Sequence, residues 1–171
     1  MRIGIGSDIH RLQFGKKMVL GGVEVPSPKG PIAHSDGDTL THVVIDAIFG
    51  AAAIGDIGHH FLDSDAQYKG ISSIELLARA LKLVHGMGLE VANVDVTVIL
   101  ETPKLGRLKT EIAANLAKAL GIPPVNVNVK ARTNEGLDAI GQGNAIGAEA
   151  VVLLKPAENQ PKSKHTVRMV I

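Results

Sequence analysis

The chain has 171 residues, no cysteine, three Phe and one Tyr, and 18 basic against 17 acidic side chains. That length is one domain with a core of its own, and the near-neutral charge and scarce aromatics argue against a nucleic-acid binder. The lack of cysteine excludes disulfides, thiolate nucleophiles and Cys-ligated zinc. The apolar stretch around residues 47–55 is far short of the roughly 20 residues of a membrane span, and the N-terminus lacks a signal peptide's apolar core, so a cytoplasmic protein is expected. With 19 glycines and few rings, the core must be Val, Ile, Leu and Ala. Such side chains bury less area each, and part of the stability is expected to come from contacts between subunits.

Arg2–His10 alternates as a strand, and Met18–Val25, with Gly21-Gly22 inside, reads as a hairpin. Pro26, Pro28, Gly30 and Pro31 mark a loop. Leu40, Val43, Val44, Ala47 and Ile48 fall at helical spacing, with Ser35 and Asp36 where an N-cap belongs. A glycine-bounded loop follows at Gly55-Asp56-Ile57-Gly58. Ile74, Leu77, Ala78, Leu81 and Val84 form a second helix, capped by Ser72 or Ser73 and ended by Gly86 and Gly88. Asn93–Leu100 is a strand that Thr102-Pro103-Lys104 breaks. A third helix runs through Leu108, Ile112 and Leu116 and ends at Gly121-Ile122-Pro123-Pro124. Val125–Ala131 is a strand, Arg132–Asn144 a glycine-rich loop and Ala145–Leu154 a last strand. The pattern predicts a single-domain α/β (α+β) sandwich, one mixed sheet with helices on one face. The polar stretch from Pro156 to Ile171 has no periodicity, and disorder is expected there.

Asp8 and His10 stand two apart on a strand, so both side chains leave one face. Such a pair is half a metal site, and His42 on the first helix would add a third ligand to an open-sided zinc. Asp46, one helical turn beyond His42, is placed to accept the other ring N–H. The plainer alternative is an ordinary strand end with His42 capped or solvated. The density of His10, His34, His42, Asp8, Asp36, Asp38 and Asp46 before residue 47 exceeds it. Gly55–Gly58 and Phe61-Leu62-Asp63-Ser64-Asp65 either bind substrate hydroxyls or are turns. Lys104 and the segment from Lys130 through Arg132, Thr133, Asn134 and Glu135 suit phosphate and a phosphate-bound Mg²⁺.

Taken in order, Met1–His10, Ala33–Asp38, His42, Gly55–Gly58, Phe61–Asp65, Pro103-Lys104 and Thr133–Gly136 resemble the 2-C-methyl-D-erythritol 2,4-cyclodiphosphate synthase family of the non-mevalonate isoprenoid pathway. The resemblance spans residues 1–155. It implies a CMP-forming lyase working as a homotrimer with active sites between subunits. Asp8, His10 and His42 would hold Zn²⁺, and Glu135 a Mg²⁺ or Mn²⁺ bridging the substrate's diphosphate. His34 and Thr133 would hold the phosphates through the transition state. Ser35, Asp56, Ile57, Gly58, Phe61, Leu62, Asp63, Ser64 and Asp65 would meet the methylerythritol. Leu100, Pro103, Lys104, Leu105 and Gly106 would hold the cytidine, with Arg132 and Asn134 nearby.

Ser7, Ala139 and Gln142 stand where family members often carry Phe, Phe and Arg, which puts a secondary isoprenoid ligand in the trimer channel in doubt. Leu62 replaces a common Pro and Arg132 a common Thr. The competing functions are a metal-dependent nucleotide phosphohydrolase, a non-catalytic trimeric isoprenoid binder and an inactive structural subunit.

Overall fold

The computed structural model describes residues 1–157 apart from residue 63, so the expected disorder at 158–171 and any role of Asp63 lie outside the described residues. Strand β1 (Arg2–Phe14) is followed by the short ribbon β2 (Met18–Leu20) and β3 (Val23–Val25), then β4 (Lys29–Pro31). Helices α1 (Thr39–Ala52) and α2 (Ile57–His60) precede α3 (Ser73–Gly86) and β5 (Leu89–Ile99). Helix α4 (Leu108–Leu120), β6 (Val127–Arg132), α5 (Asp138–Gly141) and β7 (Ala145–Pro156) follow among the described residues.

The five-stranded sheet has the order β4-β1-β7-β5-β6, with only β5 and β6 parallel, as the expected mixed sheet requires. Strict alternation sorts its two faces. On β7, Ile146, Ala148, Ala150, Val152 and Leu154 are buried, while Glu149 and Val151 are exposed. On β1, Gly4 and Gly6 are buried under α1, and Ile3, Ile5 and Ile9 face outward, 73%, 71% and 62% exposed. The long helices α1, α3 and α4 lie on one side; the one-turn α5 is on the other, where Ile140 packs with Ile99 and Ala145 against Gly147, and the rest of that face is exposed and partly apolar.

Leu40, Val43, Val44, Ile45, Ala47, Ile48 and Phe49 of α1 are wholly buried. A helix apolar all round must be enclosed, and α1 lies between the sheet and α3. The N-cap of α1 is Asp38 rather than Ser35 or Asp36. Its carboxylate accepts from Thr41 N–H at 2.9 Å, Thr41 Oγ1 at 2.7 Å, Gly21 N–H at 2.9 Å and Gly22 N–H at 2.7 Å. Full burial pushes its pKa up, against four hydrogen bonds that favour the anion.

Four further expectations shift. The Pro-rich segment at 26–31 contains an edge strand, β4, where proline is tolerated because no ladder N–H is demanded of it. The segment at 55–58 begins a one-turn helix, α2, capped by Asp56, whose Oδ1 accepts His59 N–H at 2.8 Å. A second one-turn helix, α5, interrupts the 132–144 loop. Pro156, expected in the disordered tail, closes β7 opposite Leu89.

Candidate active site

Asp8 and His10 leave the helix-facing side of β1, and α1 carries His42 across from them. His10 Nδ1 and His42 Nδ1 lie 3.1 Å and 3.2 Å from the same atom, Asp8 Oδ2. One ligand atom from each of the three residues falls within 4.8 Å of the others. His10 Nδ1 is buried with no hydrogen-bond partner, close to the carboxylate but off the line of an N–H donation. An oxygen and two imidazole nitrogens converging in this way, one of them unpaired, fit a metal ion with an open fourth position. Burial raises the Asp8 carboxyl, but the two imidazoles outweigh it and hold its pKa well below the usual carboxylate range. The anion a cation needs is therefore already formed.

This cluster opens into a cleft of about 410 Å³ that also takes in His34, Ser35, Asp46, Ile57, Gly58, Phe61 and Tyr68. Asp46 is in the cleft, but not in the role the helical spacing suggested. Its Oδ1 accepts Ile57 N–H at 3.1 Å, bracing the first turn of α2 against α1. The outer nitrogen of His42, Nε2, lies 3.0 Å from both Ser35 Oγ and Ser73 Oγ. Ser73 in turn contacts Asp36, which takes its Oγ–H and, at 2.9 Å, its N–H. Ser73 was visible in the sequence only as a possible helix cap, since its partners lie 31 and 37 positions away. Leu62 is exposed, Ser64 lies in a turn, and Asp65 caps a 3-10 turn by accepting Gln67 N–H at 3.0 Å.

The remaining expected residues gather elsewhere. Leu100, Pro103, Lys104, Leu105, Gly106, Arg132, Thr133 and Glu135 line a second cleft of about 370 Å³. Glu135 has φ of 53°, in the left-handed region, and accepts Thr133 Oγ1 at 2.9 Å. Glu101, which sequence reasoning passed over, holds this turn: its Oε1 accepts Asn134 N–H at 2.8 Å and Gly136 N–H at 3.3 Å. Asn134 turns its amide onto Leu137 O and Asp138 Oδ2. The two clefts share no lining residue: the histidine cluster lines one and Glu135 the other. No helix among the described residues is long and apolar enough to cross a membrane.

The chain is 53% identical over 154 residues to the 2-C-methyl-D-erythritol 2,4-cyclodiphosphate synthase of Desulfosudis oleivorans, covering 90% of this chain and 92% of the relative. It is 50% identical to the synthase of Gloeobacter violaceus, over 91% and 95% of the two chains. The solved structure of such a synthase in its CDP-bound form superposes with a TM-score of 0.84 at 37% identity, over 90% of this chain and all of that one. The YgbB family model matches residues 1–155, and the chain belongs to the YgbB family.

Proposed function

We propose that this protein closes 4-diphosphocytidyl-2-C-methyl-D-erythritol 2-phosphate to 2-C-methyl-D-erythritol 2,4-cyclodiphosphate with release of CMP, as a lyase of the non-mevalonate isoprenoid pathway. The observation that carries the reading is the convergence of Asp8, His10 and His42 in the larger cleft. It occurs in a chain about half identical, over nine-tenths of its length, to proteins named for that reaction.

An oxygen of the 2-phosphate forms a bond to the β-phosphorus. The bond from that phosphorus to the bridging oxygen breaks, and CMP leaves with the bridging oxygen. The attacking group is already an oxyanion, so no strong base is needed; the obstacle is bringing one anion onto another. Asp8, His10 and His42 would hold Zn²⁺, and Glu135 a Mg²⁺ or Mn²⁺ at the diphosphate. Cations held there would neutralise and align the two phosphates. His34 and Thr133 hold the phosphate oxygens, with Arg132 adding charge beside them. Lys104 and the backbone of Leu100–Gly106 receive the cytidine. Ser35, Asp56, Ile57, Gly58 and Phe61 shape the methylerythritol pocket, to which Leu62, Asp63, Ser64 and Asp65 add their loop. Asp46 acts on that pocket indirectly, by bracing Ile57. Folding the substrate across the site makes attack intramolecular and removes much of the entropic barrier.

The two separate clefts, and the exposed Ile3, Ile5 and Ile9 face, support a homotrimer in which neighbouring chains complete each active site. A cytidine nucleotide substrate favours the cytoplasm as the place of work. The test is ³¹P NMR of the full chain with the diphosphocytidyl substrate, Zn²⁺ and Mg²⁺, beside His42→Ala. A cyclic diphosphate and CMP from wild type alone are expected. A linear product would replace the cyclase with a phosphohydrolase, and no turnover by a zinc-loaded protein would leave only the fold.

A further inference from the structure

We propose that Ser73 and Asp36 form an outer relay that fixes the His42 ring for metal binding. Asp36 takes the Ser73 hydroxyl proton, Ser73 Oγ takes the His42 Nε2–H, and His42 Nδ1 is left facing the site. The inference rests on the reading of Asp8, His10 and His42 as ligands to Zn²⁺.

A hydroxyl has one proton to give and two lone pairs to receive with, whereas an ionised carboxylate only accepts. Asp36 is surrounded by donors: Asp38 N–H at 3.1 Å on Oδ1, Ser73 N–H at 2.9 Å on Oδ2, and the Ser73 hydroxyl in close contact on Oδ1. The only proton Ser73 Oγ can offer is committed to Asp36. Toward its other partner, His42 Nε2 at 3.0 Å, it can only accept. Nε2 must then carry the ring proton, and a neutral imidazole has just one. That leaves Nδ1, 3.2 Å from Asp8 Oδ2 on the side where the cluster converges, as the nitrogen free to ligate a cation, which would relieve the meeting of its lone pair with that carboxylate. Ser73 is fully buried, so solvent does not compete for its hydroxyl. Ser35 Oγ also reaches Nε2 at 3.0 Å, but it has no carboxylate to fix the direction of its own proton. Asp46, one helical turn from His42, accepts Ile57 N–H at its Oδ1 instead. Metal-bound histidines depend on such partners, whose loss typically weakens metal binding about 10–100-fold.

The same contacts could serve only to anchor the start of α3, and the experiment separates the two roles. Zn²⁺ affinity of the full chain is measured by competition with a chromophoric chelator, and the melting temperature is recorded with and without Zn²⁺. Ser73→Ala is expected to bind Zn²⁺ about 10–100-fold more weakly and to gain less thermal stability from Zn²⁺ than wild type does. Wild-type affinity in Ser73→Ala overturns the relay. So does an equal loss of melting temperature in both states, which assigns Ser73 to packing alone. Asp36→Asn offers one acceptor end where the carboxylate has two, and it carries the test where Ser73→Ala does not fold. Weakened Zn²⁺ binding is expected there as well, and unchanged affinity removes the first link. A wild-type protein that takes up no Zn²⁺ overturns the ligand reading itself, and the relay with it.

Discussion

Gly6 and Val43 touch backbone to backbone: a Cβ on Gly6 would stand 2.1 Å from the Val43 carbonyl oxygen. The contact lies two residues before Asp8 and one after His42. Gly4 repeats it one pleat earlier, with a Cβ position 2.0 Å from the Ala47 oxygen. Only residues without a Cβ let α1 lie this close to β1, and that closeness is what puts His42 within reach of Asp8.

Gly6→Ala is therefore expected to push α1 off the sheet, costing about 1–3 kcal/mol of stability and weakening metal binding together. Gly50→Ala is the control. A Cβ there meets nothing nearer than 3.7 Å, so this helix substitution is expected to stabilise by up to about 1 kcal/mol. Urea midpoints and Zn²⁺ competition measure both effects.

Glu101→Ala frees the Asn134 and Gly136 N–H groups from the carboxylate that now holds them. The turn then no longer keeps Glu135 in its left-handed conformation. Misplacing a group by an ångström can cost about 100-fold in rate. We expect kcat to fall by up to that factor and the Mg²⁺ or Mn²⁺ concentration for half-maximal rate to rise. An unchanged metal titration would separate Glu101 from the second-metal role.

Chelation offers a test without mutation. Dialysis against a strong Zn²⁺ chelator is expected to abolish turnover and lower the melting temperature, and Zn²⁺ to restore both. At a thousandfold excess over Kd, a ligand specific to the folded state adds about 4 kcal/mol. A melting temperature indifferent to Zn²⁺ would contradict a site formed by Asp8, His10 and His42.

On the outer face, the Lys130 ammonium sits 2.6 Å from Asp95 and holds its carboxyl below the ordinary value. A depressed carboxyl contributes stability that is present above its unfolded value, near 3.8, and lost as pH falls through the folded value. Both side chains are more than a third exposed, which limits the pair to about 1 kcal/mol or less and makes it salt-sensitive. Asp95→Asn is expected to remove that increment above pH 4 in low salt, leaving acid stability unchanged. Denaturant titrations at two pH values read this directly.

What the sequence made legible was local. The two-residue spacing of Asp8 and His10 does put them on one face of β1, and the apolar repeat from Leu40 to Ile48 is α1. The helix cap was misread because Ser35, Asp36 and Asp38 are all competent caps. Which one closes the helix depends on where Gly21 and Gly22 arrive from elsewhere in the chain. Asp46 failed for a related reason. Helical spacing gives a residue's direction but not its rivals, and Ile57, Ser35 and Ser73 took the hydrogen bonds expected to join Asp46 and His42. The edge strand β4 was hidden by its own Pro and Gly, which the edge of a sheet tolerates and its centre does not.

The Asp38 carboxylate holds α1 at one oxygen pair and the β2–β3 ribbon at the same pair. A two-stranded ribbon is marginal by itself, so its turn should open only when the first turn of the helix does. The amide protons of Gly21 and Gly22 should then exchange with solvent as slowly as that of Thr41, and with the same denaturant dependence. In Asp38→Ala the two protection factors should part, and the ribbon should exchange first.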